Sequence, residues 1–322
     1  MNDHRHDLLT FGETMLRLVP PDNLRLGQAQ SLELSFGGAE SNVAANLARL
    51  GRRTSWWSRL PNNPLGHQLT ASLRAHGVST DTVIYVEGER LGVYFIEYGN
   101  APRTIQVIYD RENSAASKMT PSNISDDWLK SGRWLHLTGI TPALSDTCAA
   151  TVHSAMERAG SFGITVSFDV NHRSLLWPPE NAARALAPLC ELADLVFVAR
   201  RDAATLFGAQ GNTASEVAMH LQSVWGGTVV LSDGQDNCAA CDGKHVTSAP
   251  SRDVQIIDRI GAGDAFASGV IDRLLDNASL EDALQFGTAL AAIKLSVPGD
   301  IAFTNRAEVE RLVRSQPTAV VR

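Results

Sequence analysis

Three features of the sequence predict an α/β protein, with a mostly parallel sheet covered by helices on both faces and a small additional β-sheet. Strand-like apolar runs alternate with amphipathic helical runs along most of the chain, the pattern left by βαβ units. Two segments break that rhythm with consecutive β-type runs and no helix between them. A turn bracketed by Gly261 and Gly263 leads from a β-type run into a helix of small residues.

Taken in order, the strand-like runs are Leu8–Phe11, Thr54–Ser58, Trp134–Thr138, Ile164–Val170, Leu195–Val198 and Thr228–Ser232. Helical runs lie between them at Asn42–Leu50, Pro64–His76, Ser145–Ala159, Glu180–Leu192 and Ser215–Val224. The final third ends in helices. Ser279 starts one of them, with Asp282 as its capping-box partner and a buried stripe of Leu280, Ala283, Leu284, Gly287, Leu290 and Ala291.

The first irregular segment, residues 83–110, is all β, with turns at Glu87–Arg90 and Gly99–Pro102. Strands joined without a helix are expected to pair antiparallel. The second, 15–36, is extended and carries Pro20-Pro21. Together, about 15–36 and 83–118 should form a lid-like sheet inserted in one domain spanning 1–322, because no linker or repeat interrupts the chain.

Composition bounds the function. The 322 residues, 44% of them hydrophobic, suffice for one large core or two modest ones. A net charge of −7 without a Lys/Arg run argues against nucleic acid or an anionic membrane as partner. No apolar stretch reaches the ~20 residues needed to span a bilayer. The opening MNDHRHD has no apolar core of a signal peptide, so a soluble cytoplasmic protein is expected. Cys238 and Cys241 form a CxxC, which elsewhere signals zinc or redox chemistry. Here they sit in a strand, where positions three apart face opposite sides. A half-buried hairpin is the expectation. The same alternation splits Trp56 and Trp57 between core and helix packing, leaving neither as a sugar platform.

The turn at 261–264 carries chemistry. Glycine admits φ > 0 and a close ligand, and the helix behind it offers unpaired amides and a partial positive charge. A carboxylate beside such an anion site suits a base that takes a proton from a hydroxyl attacking a bound phosphate. The plain alternative is a turn into a helix. Neither a P-loop nor a complete GxGxxG is present.

At this point the residues resemble a family. "DRIGAGDAFASG" (258–269) and "FGGAESNVAANLARLG" (36–51) are similar to the two signatures of the ribokinase-like (PfkB) carbohydrate kinases. "FGETMLRLVP", "YDRENSAAS" and "DVNHRSLLW" further resemble its 2-keto-3-deoxygluconate kinases. The resemblance implies a ribokinase-like three-layer α/β/α core and an ATP-dependent kinase. It implies Asp264 as catalytic base and the amides of Gly261, Ala262 and Gly263 as anion hole. Gly37, Gly38 and Asn42 would hold sugar hydroxyls, and Ser232, Gly234 and Gly263 the nucleotide. Asp258 would lie on a monovalent-cation loop, bringing K+ beside ATP and Mg2+.

An acid sugar needs a cation, best a forked guanidinium. Arg111 follows a lid strand, and Arg173 follows a strand's carboxyl end, where ligands bind in open α/β sheets. Tyr94 and Tyr109 offer hydroxyls from the lid. His172 is read as a packing or hydrogen-bonding residue. Two departures stand out. Relatives carry Asn-x-x-Glu where this chain has Ala199-Arg200-Arg201-Asp202, so Asp202 would hold Mg2+ through water. Asn237 replaces a glycine near the nucleotide loop. The expectation is phosphorylation of 2-keto-3-deoxygluconate at its primary hydroxyl, with self-association through the lid. The alternatives are a kinase of a neutral sugar (fructose, ribose) or a related keto-deoxy acid, and a non-catalytic sugar-binding protein.

Overall fold

The computed structural model describes residues 5–99, 102–234 and 237–314. The first half contributes strands β1 (Leu8–Phe11), β2 (Met15–Val19), β3 (Glu33–Gly37), β4 (Thr54–Trp57), β5 (Arg59–Pro61), β6 (Val78–Ser79), β7 (Ile84–Val86), β8 (Val93–Glu97) and β9 (Gln106–Asp110). The second half adds β10 (Trp134–Thr138), β11 (Thr165–Asp169), β12 (Leu195–Ala199), β13 (Thr228–Ser232), β14 (Asn237–Cys241) and β15 (Val246–Pro250).

The main sheet has nine strands in the order β15-β14-β13-β12-β11-β10-β1-β4-β6. From β6 to β13 every pairing is parallel, and only the two pairings made by β14, with β13 and with β15, are antiparallel. Strands such as β12 (LVFVA) read as unbroken apolar runs because both faces are covered.

Helices α1 (Ala39–Arg49) and α2 (Pro64–Ala75) come from the first half. They are followed by α3 (Asp126–Lys130), α4 (Asp146–Ser161), α5 (Pro179–Leu192), α6 (Arg200–Phe207), α7 (Ala214–Trp225), α8 (Ala262–Leu275), α9 (Leu280–Leu295) and α10 (Arg306–Arg314). Their starts are written in the sequence: Asn63, Ser125, Ser145, Thr213 and Ser279 each accept a backbone N–H of the first turn. Ser279 takes the Asp282 amide at 3.1 Å, the N-cap half of the expected capping box. One core cluster packs α4, α5 and α7 on one face of the sheet. A second packs α1, α8 and α9 on the other, giving three layers. Helices α8 and α9 meet backbone to backbone: a Cβ on Gly269 would lie 2.7 Å from Gly287 Cα.

The separate small sheet has the order β3-β2-β8-β9. One expectation is corrected here. The runs within 83–110 do not all pair antiparallel with one another: β8 and β9 do, but β8 also pairs parallel with β2, and β7 leaves to pair parallel with β5. The extended stretch after β7 gives the chain length enough to change sheets. The turn expected at Gly99–Pro102 has its centre, Asn100 and Ala101, outside the described residues.

Trp56 and Trp57 are both buried, in different clusters, as the alternation implies. Cys238 and Cys241 likewise fall in clusters on opposite faces of the sheet. Both are buried, so the hairpin sits deeper than the half-buried one expected. No helix among the described residues is long and apolar enough to cross a membrane.

Candidate active site

The carboxyl ends of the parallel strands β1, β10, β11, β12 and β13 open into a cleft of about 450 Å³. It contains all the residues expected on the sugar side: Gly37, Gly38, Asn42, Tyr94, Tyr109, Arg111 and Arg173. Gly261, Gly263, Asp264, Asp202 and Ser232 line it too. A neighbouring cavity of about 540 Å³ runs between Ser232–Gly234 and α9, with Ala262 and Gly263 on its wall. The two cavities share Ser232, Arg259, Gly263 and Phe266. Gln235, next to Gly234 of the expected nucleotide site, lies outside the described residues.

The glycine turn stands between the cavities. Gly261 caps α8 with φ 81°, and a Cβ there would run into the Asp300 backbone, so no other residue fits. The amide of Ala262, counted in the expected anion hole, is instead directed at the Arg259 carbonyl (3.3 Å), which closes the turn. Gly263 and Asp264 keep their amides free of main-chain acceptors among the described residues, and these face the ligand space.

Asp264 is buried at 7% exposure and accepts Asn42 Nδ2 at 2.7 Å, which joins the start of α1 to the start of α8. Burial pushes its carboxyl up to about 6, against the Asn42 hydrogen bond and the field of Arg173. Asp169, at the end of β11, is pushed further, to about 8, by burial and by the charge of Asp264. Burial thus raises both carboxyls, Asp169 more than Asp264, so Asp264 is the first of the two to lose its proton as pH rises. Environments that drive two carboxyls apart in this way are the kind that separate an acid from a base.

On the small-sheet side, Tyr94 donates its hydroxyl to Asp300 Oδ2 at 2.9 Å and stacks on Tyr109 with ring centroids 6.1 Å apart. Gly37 is required by that pair, since a Cβ would overlap the Tyr94 hydroxyl and the Asp300 carboxylate. Arg111 is paired with Glu13 through Nε (2.8 Å) and through Nη2. Arg173 is exposed; its carbonyl accepts the Leu176 amide at 2.8 Å, and its guanidinium makes no ion pair or hydrogen bond among the described residues. Beneath the sheet, Arg17 of β2 is paired with both Asp258 (3.0 Å) and Asp300. Asp258 lines neither cavity. Its carboxylate also takes the Tyr98 hydroxyl and the amides of Ile260 and Gly299 (3.0 Å each).

The pfkB family carbohydrate kinase model matches residues 5–315. The chain belongs to the pfkB family. It is 39% identical over 319 residues to a 2-dehydro-3-deoxygalactonokinase of Haloferax volcanii, covering 98% of this chain and 99% of that one. It is 33% identical over 297 residues to a 2-dehydro-3-deoxygluconokinase of Bacillus subtilis, with 92% and 91% covered. The crystal structure of 2-dehydro-3-deoxygluconokinase from Thermotoga maritima superposes with a TM-score of 0.92 at 32% identity, over 96% of this chain and 100% of that one.

This pfkB chain departs from the expected pattern at Ala199–Asp202, and the structure shows what the substitutes do. Asp202 is buried in the cleft, where Arg201 Nε donates to its Oδ1 at 3.1 Å. Arg200 turns away to Asp233 and the Gly211 carbonyl. Asn237 opens β14 and lines the second cavity. His172 is buried and faces the Trp177 carbonyl at 3.3 Å, the hydrogen-bonding role expected of it.

Sequence reasoning passed over Glu13, Asp169, Arg259 and Asp300, all of which line the cleft. Asp169 carried a signal, an acid at the carboxyl end of a strand within "DVNHRSLLW". Arg259 carried one as well, standing directly before the glycine turn. Glu13 and Asp300 carried none that local sequence could supply, because their partners are distant.

Proposed function

We propose that this pfkB chain transfers the γ-phosphoryl group of ATP to the primary hydroxyl of 2-keto-3-deoxygluconate. The observation that carries this reading is the position of Asp264. It is a buried carboxylate lining the first cavity where the glycine turn separates it from the second, with the α8 amides beside it. Sugar bound between Asn42 and the small sheet would present its hydroxyl to Asp264. ATP in the second cavity would bring its phosphates to the amides of Gly263 and Asp264, and to Arg259, which borders both spaces. Asp264 takes the hydroxyl proton as the oxygen attacks phosphorus, and the amides hold the charge that develops on the transferring group. The small sheet would act as a lid over the sugar. Each relative above carries a keto-deoxy acid in its name.

The geometry divides the work of the two arginines. Arg111 is largely spent on Glu13, so Arg173 is the free guanidinium for the substrate carboxylate, and Arg111 braces the lid. Arg173→Ala should raise KM for the keto acid roughly ten- to hundred-fold, the worth of a charge-assisted hydrogen bond, with KM for ATP little changed. Equal loss toward fructose or ribose would remove Arg173 from substrate recognition. The same panel should include the C4 epimer, 2-keto-3-deoxygalactonate, a second reading favoured by the 39% identical relative. Binding of a sugar acid without ADP release would make the chain a non-catalytic binding protein.

Among the described residues no three His, Cys, Asp or Glu side chains are arranged to hold a metal. Mg2+ would therefore arrive with ATP and be held by Asp202 through water, an arrangement the ion favours. When bound it neutralises charge on the β- and γ-oxygens. Asp202→Ala should raise the Mg2+ concentration for half-maximal rate and leave sugar affinity intact; an unchanged Mg2+ response would exclude Asp202.

A row of apolar side chains, Ile108, Phe95, Leu18 and Leu34, crosses the small sheet through paired positions. Ile108 and Leu34 are 51% and 44% exposed. A second copy of the chain would cover this face. Ile108→Lys should then give a monomer in light scattering, and a monomeric parent at micromolar concentration would refute the pairing. With ATP as donor, the reading is a cytoplasmic enzyme, and cell fractionation should recover the chain there.

A further inference from the structure

The family resemblance places a monovalent cation on the loop of Asp258, yet the atoms there are already occupied by protein charges. The Asp258 carboxylate is surrounded by Arg17, Tyr98 and two backbone amides. Its main-chain oxygen accepts Lys294 Nζ at 3.0 Å, and the same ammonium reaches the Val297 oxygen at 3.2 Å. Lys294 lies in the last turn of α9 with 0% exposure. A lysine there ordinarily points outward to complement the helix dipole. This one is turned inward, which demands strong compensation for lost hydration.

The two oxygens it holds flank the catalytic turn. Asp258 begins the stretch that runs into Gly261, and Val297 begins the stretch that runs through Gly299 to Asp300. These stretches are laid on each other: the amides of Ile257 and Asp258 both donate to the Leu295 carbonyl, at 2.8 and 3.2 Å. Gly299 donates to Asp258, and Gly261 rests on the Asp300 backbone. Two segments whose carbonyls converge on one point need a positive charge between them, and here the chain supplies it.

We propose that the Lys294 ammonium is a built-in monovalent cation, which clamps the segments on either side of the glycine turn, so that this enzyme needs no K+. The inference rests on the kinase reading for its link to catalysis. Lys294 touches no reacting atom; it positions the amides that do.

The test uses the full-length chain with Mg2+ and ATP in a buffer whose only monovalent cation is a bulky tetraalkylammonium. Wild-type turnover should stay flat as KCl is added at constant ionic strength. Lys294→Ala should lose roughly ten- to hundred-fold in kcat, the scale of a misplacement of about 1 Å, with a smaller change in KM. K+ or NH4+, but not choline, should restore much of that loss. Melting gives a second readout: K+ should raise the melting temperature of Lys294→Ala and leave that of the wild type unmoved. Activation of the wild type by K+ would overturn the proposal, and it needs no variant to fold. A folded Lys294→Ala with full activity in buffer free of small monovalent cations would overturn it, as would one whose defect no small monovalent cation repairs. If the wild type phosphorylates no sugar acid, the kinase reading fails, and the melting comparison still decides whether an ion replaces the ammonium.

Discussion

Asp264→Asn should lose ~10²–10⁴ in kcat and gain stability at the same time. The loss follows from removing the base while keeping its shape and the contact with Asn42. The gain follows from burial. The native carboxyl is raised from 3.8 to about 6, which at about 1.4 kcal/mol per tenfold change in proton affinity costs the native state up to about 3 kcal/mol. The sign is set by the direction of the shift. The native state holds the proton more tightly than the unfolded chain, so its stability falls as pH rises between about 4 and 6, and the cost is complete above that window. The Asn variant escapes the cost. Denaturant unfolding should show it more stable than the wild type at pH 7.5 and equal to it near pH 4. The same titration should make wild-type kcat/KM fall as pH drops through about 6. Near-normal turnover in the Asn variant would take Asp264 out of the mechanism.

Arg17→Ala should destabilise the chain by about 3–5 kcal/mol, the usual consequence of stripping the partner from buried charges. Arg17 is 4% exposed and serves two carboxylates, Asp258 and Asp300, which are themselves 2% and 5% exposed. Without the guanidinium two negative charges face each other without solvent. The change should also be felt in the cleft, since Asp300 holds Tyr94 and supports Gly261. Urea unfolding measures the first effect. A difference below about 1 kcal/mol would mean that water or backbone amides satisfy the acids, and that the ion pair is no more than a surface one in energy.

These two predictions also mark how far the sequence could be read. Asp264 was legible because its signal is local: two glycines, an acid and a run of small residues within a dozen positions. The strands of the main sheet were legible for the same reason, as apolar runs covered on both faces. Arg17 was not. In the sequence it is one basic residue in a β-type run, and its meaning depends on acids 241 and 283 positions away. Arg111 was placed correctly at the cleft, but its partner Glu13, 98 residues upstream, was invisible. Lys294 is one basic residue near a helix end in the sequence, and its inward turn depends on the carbonyl of Asp258, 36 residues upstream. The direction of strand pairing within 83–110 failed similarly, because the partners of β7 and β8 are β5 and β2, chosen by the sheet and not by the neighbouring turns.

The parallel pairing of β2 with β8 has a consequence for how the molecule assembles. Leu16 aligns with Val93, and between them the chain must complete α1, β4 and α2. Loops that long cost entropy before their contacts form, so the four-stranded sheet should condense only after that intervening unit has docked on the main sheet. It should also be the first part to come apart. Amide exchange in β2, β3, β8 and β9 should outpace that in β10–β13 by local opening, so that the polypeptide spends its last folding step, and its first unfolding step, on the wall of its cleft.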